Sequence, residues 1–426
     1  MGCFFIDVNN SKEIFDLVVI GGGAAGFFGA IQAAEMKAGL KIIILEKSGK
    51  LLSKVKVSGG GRCNVTHHCY NPFELARHYP RGERKLKEVF KVFQAKDMVQ
   101  WLESKGVDLK TEADGRMFPV TDDSQTIIDC FLRVALDHKI KIELSTQVTS
   151  IEKESEKFFL RCGNGMDIKG KKILIAAGGN PNVQFYSPFS ALGHSVTVPI
   201  PSLFTFNDPS KQFADLMGVA VKDAQVKIAA TKFNQRGPVL ITHWGLSGPA
   251  VIKLSAWAAV QLHAMNYQFT VLINWIPPLT EEQVKKQLVA LKILKPKQRI
   301  LGNPINGLPT RLWDRLCFLS EITEEKIWGE LPQRNINKLI EFLIRSPFNI
   351  KGKTTFKEEF VTCGGVEVSE LNIETMESKV IPGVYFAGEV LNIDGETGGF
   401  NFQAAWSTAY LAAKAIGNAL AVPNPL

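Results

Sequence analysis

Residues 15–26 read FDLVVIGGGAAG, and this stretch decides the fold. Phe15 to Ile20 is a short apolar run rich in β-branched residues, as in a strand of a parallel sheet that is buried on both faces. It leads directly into Gly21-x-Gly23-x-x-Gly26, the spacing at which a strand turns into a helix in dinucleotide-binding folds. We therefore predict a glycine turn and a helix over Phe27 to Lys37, whose N-terminal N–H groups suit a pyrophosphate.

A second strand and an acidic residue follow at the distances that this fold requires. Lys41 to Leu45 (KIIIL) is predicted as the next strand, and it ends at Glu46, twenty residues after Gly26. A carboxylate at this position accepts hydrogen bonds from ribose hydroxyls. Its negative charge also disfavours a 2′-phosphate at the same site. Strand, helix, second strand and acid together favour a nucleotide site over a structural glycine turn.

A second glycine cluster, SGGGRCN at residues 58–64, interrupts the alternation of strands and helices. Three consecutive glycines allow the backbone to lie against a bulky flat group such as an isoalloxazine ring, and a flexible surface loop is the alternative. Arg62 is predicted to meet an anion, either a phosphate or a reduced flavin, because a buried guanidinium is costly without one. Cys63 is interpreted as a packed residue because the chain contains no C-x-x-C pair.

Two further strands are predicted to bring backbone to the same ligand. Lys171 to Ala177 ends in Gly178-Gly179, and Gly383 to Ala387 ends in Gly388-Glu389. A helix is predicted from about Gln403 to Ile416. Its N-terminus would lie under the pyrimidine edge of a flavin and stabilise negative charge on the reduced ring. The segment before this helix supplies further candidates: Asp394, Gly398, Gly399, Phe400 and Asn401.

Long stretches of the chain resemble the BaiN-type, aminoacetone-oxidase-like family of bacterial flavoproteins. They are SGGGRCNVT (58–66), GRMFPV (115–120), THWGLSGPA (242–250) and the C-terminal run from CGGV to AAWS (363–407). The resemblance implies non-covalent FAD in a discontinuous Rossmann domain, with another domain inserted between its halves. Members are described as amine-oxidising oxidases or as NAD(P)H-dependent reductases of unsaturated steroid-like substrates, so the resemblance does not identify the substrate.

The motifs and the resemblance together predict the residues that contact FAD. They are Gly21, Gly23, Ala24, Ala25, Gly26, Glu46, Lys47, Lys54, Ser58, Gly59, Gly60, Gly61, Arg62, Asn64, Val148, Ala177, Gly178, Gly179, Gly388, Glu389, Asp394, Gly398, Gly399, Phe400 and Asn401. The chain departs from the family pattern at residues 180–194, which are shorter and lack the usual glycines. We therefore regard the cofactor contacts of this loop as open.

The middle of the chain has a different pattern. Alternating segments such as Val219 to Ala229 and Tyr267 to Trp275 precede helical stretches around Glu281 to Leu294 and Ile336 to Ile344. The predicted fold class is α/β, a Rossmann-type FAD-binding domain with an inserted β-rich domain and a helical extension. We assign FAD-binding parts to 1–197 and 351–426, and a substrate or lid domain to 198–350. A purely structural or dimerising module is the alternative for the insertion.

His243 is the predicted catalytic acid or base. It lies beside Trp244 in the glycine-rich stretch THWGLSGP, where an imidazole could exchange a proton with a substrate. A histidine with a structural hydrogen bond is the alternative. Arg62 and Asn401 are the other polar residues that we expect near the flavin or the substrate.

The bulk composition excludes several classes of protein. The net charge of +8 is spread thinly, and its densest run, residues 77–91, is predicted as the solvated face of a helix. We therefore expect a small-molecule substrate and no nucleic acid or membrane partner. Seven cysteines without metal-ligand spacing predict no metal site and a reducing cytoplasm. Residues 17–34 contain five glycines and are interpreted as strand, turn and helix rather than as a membrane span or export signal.

These patterns favour an FAD-dependent oxidoreductase. It would move a hydride between flavin N5 and a small organic substrate, either an amine or an unsaturated ketone. The chain has no second G-x-G-x-x-G, so NAD(P)H would dock only transiently, and dioxygen is the alternative electron partner. An RNA-modifying flavoprotein, suggested by the basic charge, and a non-catalytic flavin-binding protein are the other classes. The oligomeric state is not predicted.

Overall fold

The computed structural model describes residues 13–354 and 361–421, which form two compact units. Unit 1 contains residues 13–201 and 361–421, and unit 2 contains residues 202–354. The insertion predicted at 198–350 therefore overlaps unit 2 over most of its length.

The strands of both units are short. They are β1 (Ile14–Ile20), β2 (Ile42–Leu45), β3 (Thr66–His67), β4 (Leu109–Thr111), β5 (Arg116–Pro119), β6 (Lys141–Glu143), β7 (Val148–Glu154), β8 (Lys157–Cys162), β9 (Asp167–Ile175), β10 (Val196–Ser202), β11 (Thr205–Asn207), β12 (Ala220–Ile228), β13 (Asn234–Thr242), β14 (Gly245–Ser247), β15 (Gln268–Asn274), β16 (Ser346–Lys351), β17 (Lys353–Thr354), β18 (Val361–Val366) and β19 (Val384–Phe386).

The helices range from single turns to a long C-terminal element. They are α1 (Ala24–Met36), α2 (Ser53–Gly61), α3 (Pro72–Ala76), α4 (Glu83–Val92), α5 (Ala95–Ser104), α6 (Ser124–Asp137), α7 (Ser187–Ala191), α8 (Pro249–Trp257), α9 (Ala259–Ala264), α10 (Glu281–Leu294), α11 (Thr310–Leu319), α12 (Gln333–Arg345) and α13 (Phe400–Ala421).

Unit 1 is built on a seven-stranded sheet. Strands β6, β2, β1, β9 and β19 run parallel, and β8 and β7 extend the sheet as an antiparallel ribbon. The predicted apolar strands form its centre, where Val18 lies between Ile43 and Ile173. All three side chains are fully buried, as expected for a parallel sheet covered on both faces. The predicted α/β fold class is confirmed.

The first and last helices of unit 1 pack against each other. Gly29 of α1 permits a close approach, because a Cβ there would lie 2.5 Å from the Leu174 side chain and 3.6 Å from that of Ala409 in α13. This contact brings the N-terminal glycine turn and the C-terminal segment of the chain into one core.

Unit 2 contains a seven-stranded antiparallel sheet in the order β16-β15-β12-β13-β14-β11-β17. The segments predicted as alternating strands form β12 and β15, and the predicted helical stretches form α10 and α12. Trp275, Trp313 and Trp328 are fully buried in a hydrophobic core of its own.

These elements refine two sequence-based expectations. The SGGGRCN cluster forms an exposed kink of non-helical backbone at the end of α2. The basic run at residues 77–91 is helical only from Glu83, where Leu86, Val89 and Phe90 of α4 are buried. Arg77 ends the short helix α3, and Arg81 lies between the two helices.

Candidate functional site

The first glycine turn has one side that requires glycine and one side that is open. Gly21 has φ +112°, and a Cβ there would lie 2.3 Å from the Ala176 carbonyl oxygen. A Cβ on Gly26 would lie 1.9 Å from the Gly21 carbonyl oxygen. Gly23, which precedes α1, has no atom within 4 Å of its Cβ position. The N–H groups at the start of α1 therefore border open space that a phosphate could fill.

Glu46 is held at the carboxyl end of β2 by two backbone donors. The Gly22 N–H donates to Oε2 and the Ser48 N–H donates to Oε1, each at 2.8 Å. Each carboxylate oxygen can accept a second hydrogen bond, so the side chain keeps the capacity to bind ribose hydroxyls.

A pocket of about 230 Å³ lies at this end of the sheet. Five predicted residues line it: Gly21, Glu46, Lys47, Val148 and Ala177. Gln184, Phe185 and Phe189 complete the wall, and Lys47 Nζ lies 4.5 Å from the centre of the Phe185 ring. The short 180–194 segment, whose contacts were open, thus contributes a wall to the pocket.

The second glycine cluster presents a flat, open backbone surface. Gly59 and Gly60 have φ +58° and +70°, and Gly59 is closely covered because a Cβ there would lie 2.8 Å from the Phe118 ring. Gly60 and Gly61 have no atom within 4 Å of their Cβ positions. Ser58, at the kink, bonds through its hydroxyl to the Val55 carbonyl. A planar ring could therefore lie on Gly60 and Gly61 without meeting a side chain.

Arg62 has its partners within the chain. Its guanidinium is about one third exposed, pairs with Glu112 at 2.6 Å and Asp122 at 3.4 Å, and lies 4.0 Å from the Phe118 ring. The anions that it meets belong to the chain itself. Cys63 is fully buried, and burial raises the pKa of its thiol to about 12, so the packed interpretation fits the structure.

Loop ends from both parts of unit 1 meet around Glu389. Its carboxylate pairs with Lys54 Nζ at 2.5 Å and accepts the Thr362 N–H at 3.0 Å. Gly179 packs closely against it, since a Cβ there would lie 2.6 Å from Glu389 Oε1. Gly178, with φ +75°, has open space at its Cβ position. Gly388 has no such space, because a Cβ there would lie 2.8 Å from the side chain of Ala25, next to Ala24 in α1.

Three polar residues predicted to contact FAD have partners within the chain. Asp394 is fully buried and forms a two-point ion pair with Arg81, whose Nε donates to Oδ1 at 2.5 Å. Asn401 accepts from the Gly395 N–H at 2.9 Å and donates to its carbonyl at 3.0 Å. When the side-chain amide of Asn64 is oriented so that its oxygen and its nitrogen both have hydrogen-bond partners, the oxygen accepts the Gly399 N–H at 2.9 Å. These side chains shape the loop before α13, and their contact with FAD stays a prediction.

The start of α13 carries a stack of rings that the sequence did not reveal. Phe400 is buried, and its ring centroid lies 4.1 Å from that of His78 and 4.7 Å from that of His67. Gly398 and Gly399 have φ +136° and +90° and allow the chain to turn into the helix. No motif marks His67 or His78, because their proximity arises from pairing between segments that are distant in sequence.

His243 lies in unit 2, whereas every predicted FAD residue lies in unit 1. It is an exposed residue of the β13–β14 turn, and its ring lies 4.1 Å from that of Trp244. A small depression in unit 2 is lined by His243 together with Asp208 and Lys211. Its catalytic role stays a prediction.

Two further expectations concern metals and membranes. Within residues 13–354 and 361–421, His, Cys, Asp and Glu form no group of three or more that could hold a metal ion. No helix in this described part of the chain is both long enough and apolar enough to cross a bilayer.

The geometry of unit 1 fits FAD. Space for backbone contact is open at Gly23, Gly60, Gly61 and Gly178, a helix N-terminus faces the first of these spaces, and Glu46 lies beside the pocket. Adenosine, pyrophosphate and ring would each find the surface that its chemistry requires.

Comparison with known proteins agrees with this geometry. The family described as HI0933-like protein Rossmann domain matches residues 15–415. The chain belongs to that family. The chain is 31% identical over 413 residues to the ribosomal RNA dihydrouridine synthase of Escherichia coli (strain K12), covering 94% of this chain and 98% of the relative. It is 26% identical over 409 residues to the 3-dehydro-bile acid delta(4,6)-reductase of Clostridium scindens, covering 93% and 98%.

A solved structure of a similar fold supports the architecture of this chain. A flavocytochrome c3 fumarate reductase superposes with a TM-score of 0.51 at 16% identity, covering 96% of this chain and 79% of that one. The predicted family and the predicted FAD-dependent oxidoreductase class are confirmed.

Proposed function

We propose that this chain is a reductase that adds a hydride and a proton across a carbon–carbon double bond conjugated to a carbonyl group. The observation that carries the proposal is that two relatives, each matched over 98% of its length, have names that describe this one reaction. Dihydrouridine forms when the 5,6 double bond of uracil, conjugated to the C4 carbonyl, is saturated. The 4,6 double bonds of a 3-dehydro-bile acid are conjugated to the C3 carbonyl in the same way.

The residues of unit 1 support the flavin half of this reaction. Gly23 and the start of α1 would hold the pyrophosphate, Glu46 the adenosine ribose, and Gly60 and Gly61 one face of the ring. Bound FAD would supply the hydride from N5 after reduction by a nicotinamide cofactor. A reductase is favoured over an amine oxidase because neither relative is named as an oxidase.

Within this substrate class, we propose a uridine base in RNA. The higher of the two identities, 31% against 26%, belongs to the relative named for ribosomal RNA. The net charge of +8 suits a polyanion. In unit 2, Lys222 and Lys227 are exposed on β12 and Lys232 is exposed in the turn that follows, where phosphate contacts would cost little burial. This proposal departs from our expectation of a partner other than nucleic acid.

The test compares conjugated substrates on one reduced preparation, and an amine is tested separately on the oxidised protein. The purified, FAD-loaded protein is bleached anaerobically with NADH or NADPH and then mixed with unmodified ribosomal RNA transcript or a 3-oxo-4-ene steroid. We expect the RNA to restore the oxidised flavin spectrum and to gain two hydrogens per modified uridine, measured by mass spectrometry. Recovery with the steroid alone would reject RNA but keep the reductase. Bleaching of oxidised flavin by an amine, with peroxide formed in air, would contradict the reductase.

A further inference from the structure

Three reactive side chains meet beside the start of α13. His78 Nδ1 lies 3.3 Å from Glu396 Oε2, and the Cys69 side chain lies near enough to raise the pKa of the imidazole. The His78 ring lies nearly parallel to that of Phe400, at an interplanar angle of 12°. The Glu396 N–H donates to the His78 carbonyl at 2.9 Å, so backbone and side chain hold the two residues together.

This group adjoins the segment before α13 that is predicted to contact the flavin. Glu396 is two residues before Gly398, whose Cβ position is 3.7 Å from the His67 ring. The His67 and His78 rings are 5.9 Å apart. The N-terminus of α13 is the element that we expect under the pyrimidine edge of the ring. The His78 side chain is 33% exposed, whereas Glu396 is buried, so the imidazole can exchange protons with solvent while its partner stays fixed.

The neighbours of His78 favour its charged form. Burial lowers the pKa of His78, but the hydrogen bonds to Cys69 and Glu396 and the charge of Glu396 outweigh burial and raise the pKa to about 9. The titratable groups that face the ring are Cys69, Glu396 and His67. Because the pKa is raised on folding, the stabilising contribution is complete below pH 6.5 and is lost as the pH rises through about 9.

We propose that His78, held by Glu396 beside Cys69 and Phe400, donates the proton that completes reduction of the substrate double bond. This inference rests on the proposed function. The β-carbon of the substrate receives the hydride. The carbon–carbon π bond breaks, and the electron pair of that bond forms an enolate with the conjugated carbonyl. The α-carbon then takes a proton from the His78 imidazolium, which becomes neutral and regains a proton from solvent. Glu396 and Cys69 are positioning residues.

The test separates the two half-reactions. His78→Gln is compared with His68→Gln, a matched change at a neighbouring histidine that is exposed and lies 4.5 Å from the Tyr70 ring. Flavin bleaching by NAD(P)H should be unchanged in both variants. Anaerobic reoxidation by the conjugated substrate should slow by about 10²- to 10⁴-fold in His78→Gln alone, the usual effect of losing a general acid.

A second readout does not depend on turnover. In flavin-free protein, NMR titration of labelled histidine should show His78 titrating near pH 9, and Glu396→Gln should move that titration to lower pH because one negative partner is removed. The reoxidation rate should fall above the same pH in the wild type and at a lower pH in Glu396→Gln. If His78→Gln does not retain FAD, this shift in Glu396→Gln decides the question.

The possible failures are distinguishable. If the wild type is reoxidised by the substrate and His78→Gln behaves like His68→Gln, the inference is overturned and the proposed function stands. The same holds if His243→Gln, rather than His78→Gln, abolishes reoxidation, or if His78 titrates near pH 6.5. A wild type that no conjugated substrate reoxidises contradicts the proposed function, and the inference with it.

Discussion

Glycine residues in unit 1 have two separate functions, and the space around each Cβ position distinguishes them. Gly21 and Gly26 are glycines because backbone atoms of the chain fill the space that a side chain would need. Gly23 has open space there, and Gly60 and Gly178 combine open space with positive φ, so a ligand could lie against the backbone at all three. The G-x-G-x-x-G pattern alone does not separate these two cases.

Gly26→Ala should damage the fold of the turn. Its methyl group would lie 1.9 Å from the Gly21 carbonyl oxygen, so the turn and α1 must move apart. We expect a loss of about 1–3 kcal/mol in the free energy of unfolding, measured by denaturant titration, and loss of FAD binding. Gly49→Ala is the control, because no atom lies within 4 Å of its Cβ position. Equal stability of the two variants would refute the steric explanation.

Arg81→Ala should destabilise the fold strongly, although the Arg81 side chain is partly exposed. Asp394 is fully buried, and removal of Arg81 leaves its carboxylate without the opposite charge. We expect unfolding free energy to fall by about 3–5 kcal/mol. Arg77→Ala removes an exposed pair with Glu74 and should cost less than about 1 kcal/mol. Similar thermal denaturation curves for both variants would show that the buried pair contributes no more to stability than the exposed pair.

Among the elements, α2 ends at the open backbone surface on which the ring is proposed to lie. The helix starts at Ser53 and ends in a kink at which Gly59 and Gly60 adopt left-handed backbone conformations. A side chain at Gly60 would project into open space. Strain from the backbone conformation and obstruction of the ligand can therefore be measured separately at this position.

Gly60→Ala should weaken FAD binding by more than it weakens the fold. A left-handed conformation costs an L-residue about 1–2 kcal/mol, and the methyl group would additionally occupy the proposed ring surface. Gly165→Ala is the matched control, with φ +85° and open space in the turn between β8 and β9. Both variants should lose similar unfolding free energy without FAD, and only Gly60→Ala should show a higher dissociation constant for FAD. Equal FAD affinities would place the ring elsewhere.

Sequence patterns predicted the elements whose signal is local. β1, β2, β9 and β19 were visible as apolar runs, and Gly21, Glu46 and Gly178 as their endings. α2 was missed because SKVKVSGGG has little apolar periodicity and its glycines indicate a turn. Phe185, His78 and Glu396 were not predicted as site residues because the residues that they contact come from distant segments of the chain. Sequence also could not show that Arg62, Asp394 and Asn401, predicted as ligand contacts, have partners within the chain at Glu112, Arg81 and Gly395.

For the whole molecule, the predicted cofactor residues all lie in unit 1 although they come from both ends of the chain. FAD should therefore protect discontinuous segments from amide hydrogen exchange, mainly residues 21–26, 58–64 and 394–401. At free FAD near 100 times its dissociation constant, binding should add about 2.7 kcal/mol to the stability of the state that binds it. Protection confined to residues 202–354 would contradict the assignment of the cofactor to unit 1.

The most direct test of the central claim is anaerobic reoxidation of the reduced protein, followed at the visible absorbance of the flavin. The claim is that unit 1 holds an FAD which passes a hydride to a double bond conjugated to a carbonyl group. We predict that unmodified ribosomal RNA or a 3-oxo-4-ene steroid restores the oxidised spectrum, with one double bond saturated per flavin reoxidised. A flavin that stays reduced with every conjugated substrate and is reoxidised only by dioxygen would contradict the claim.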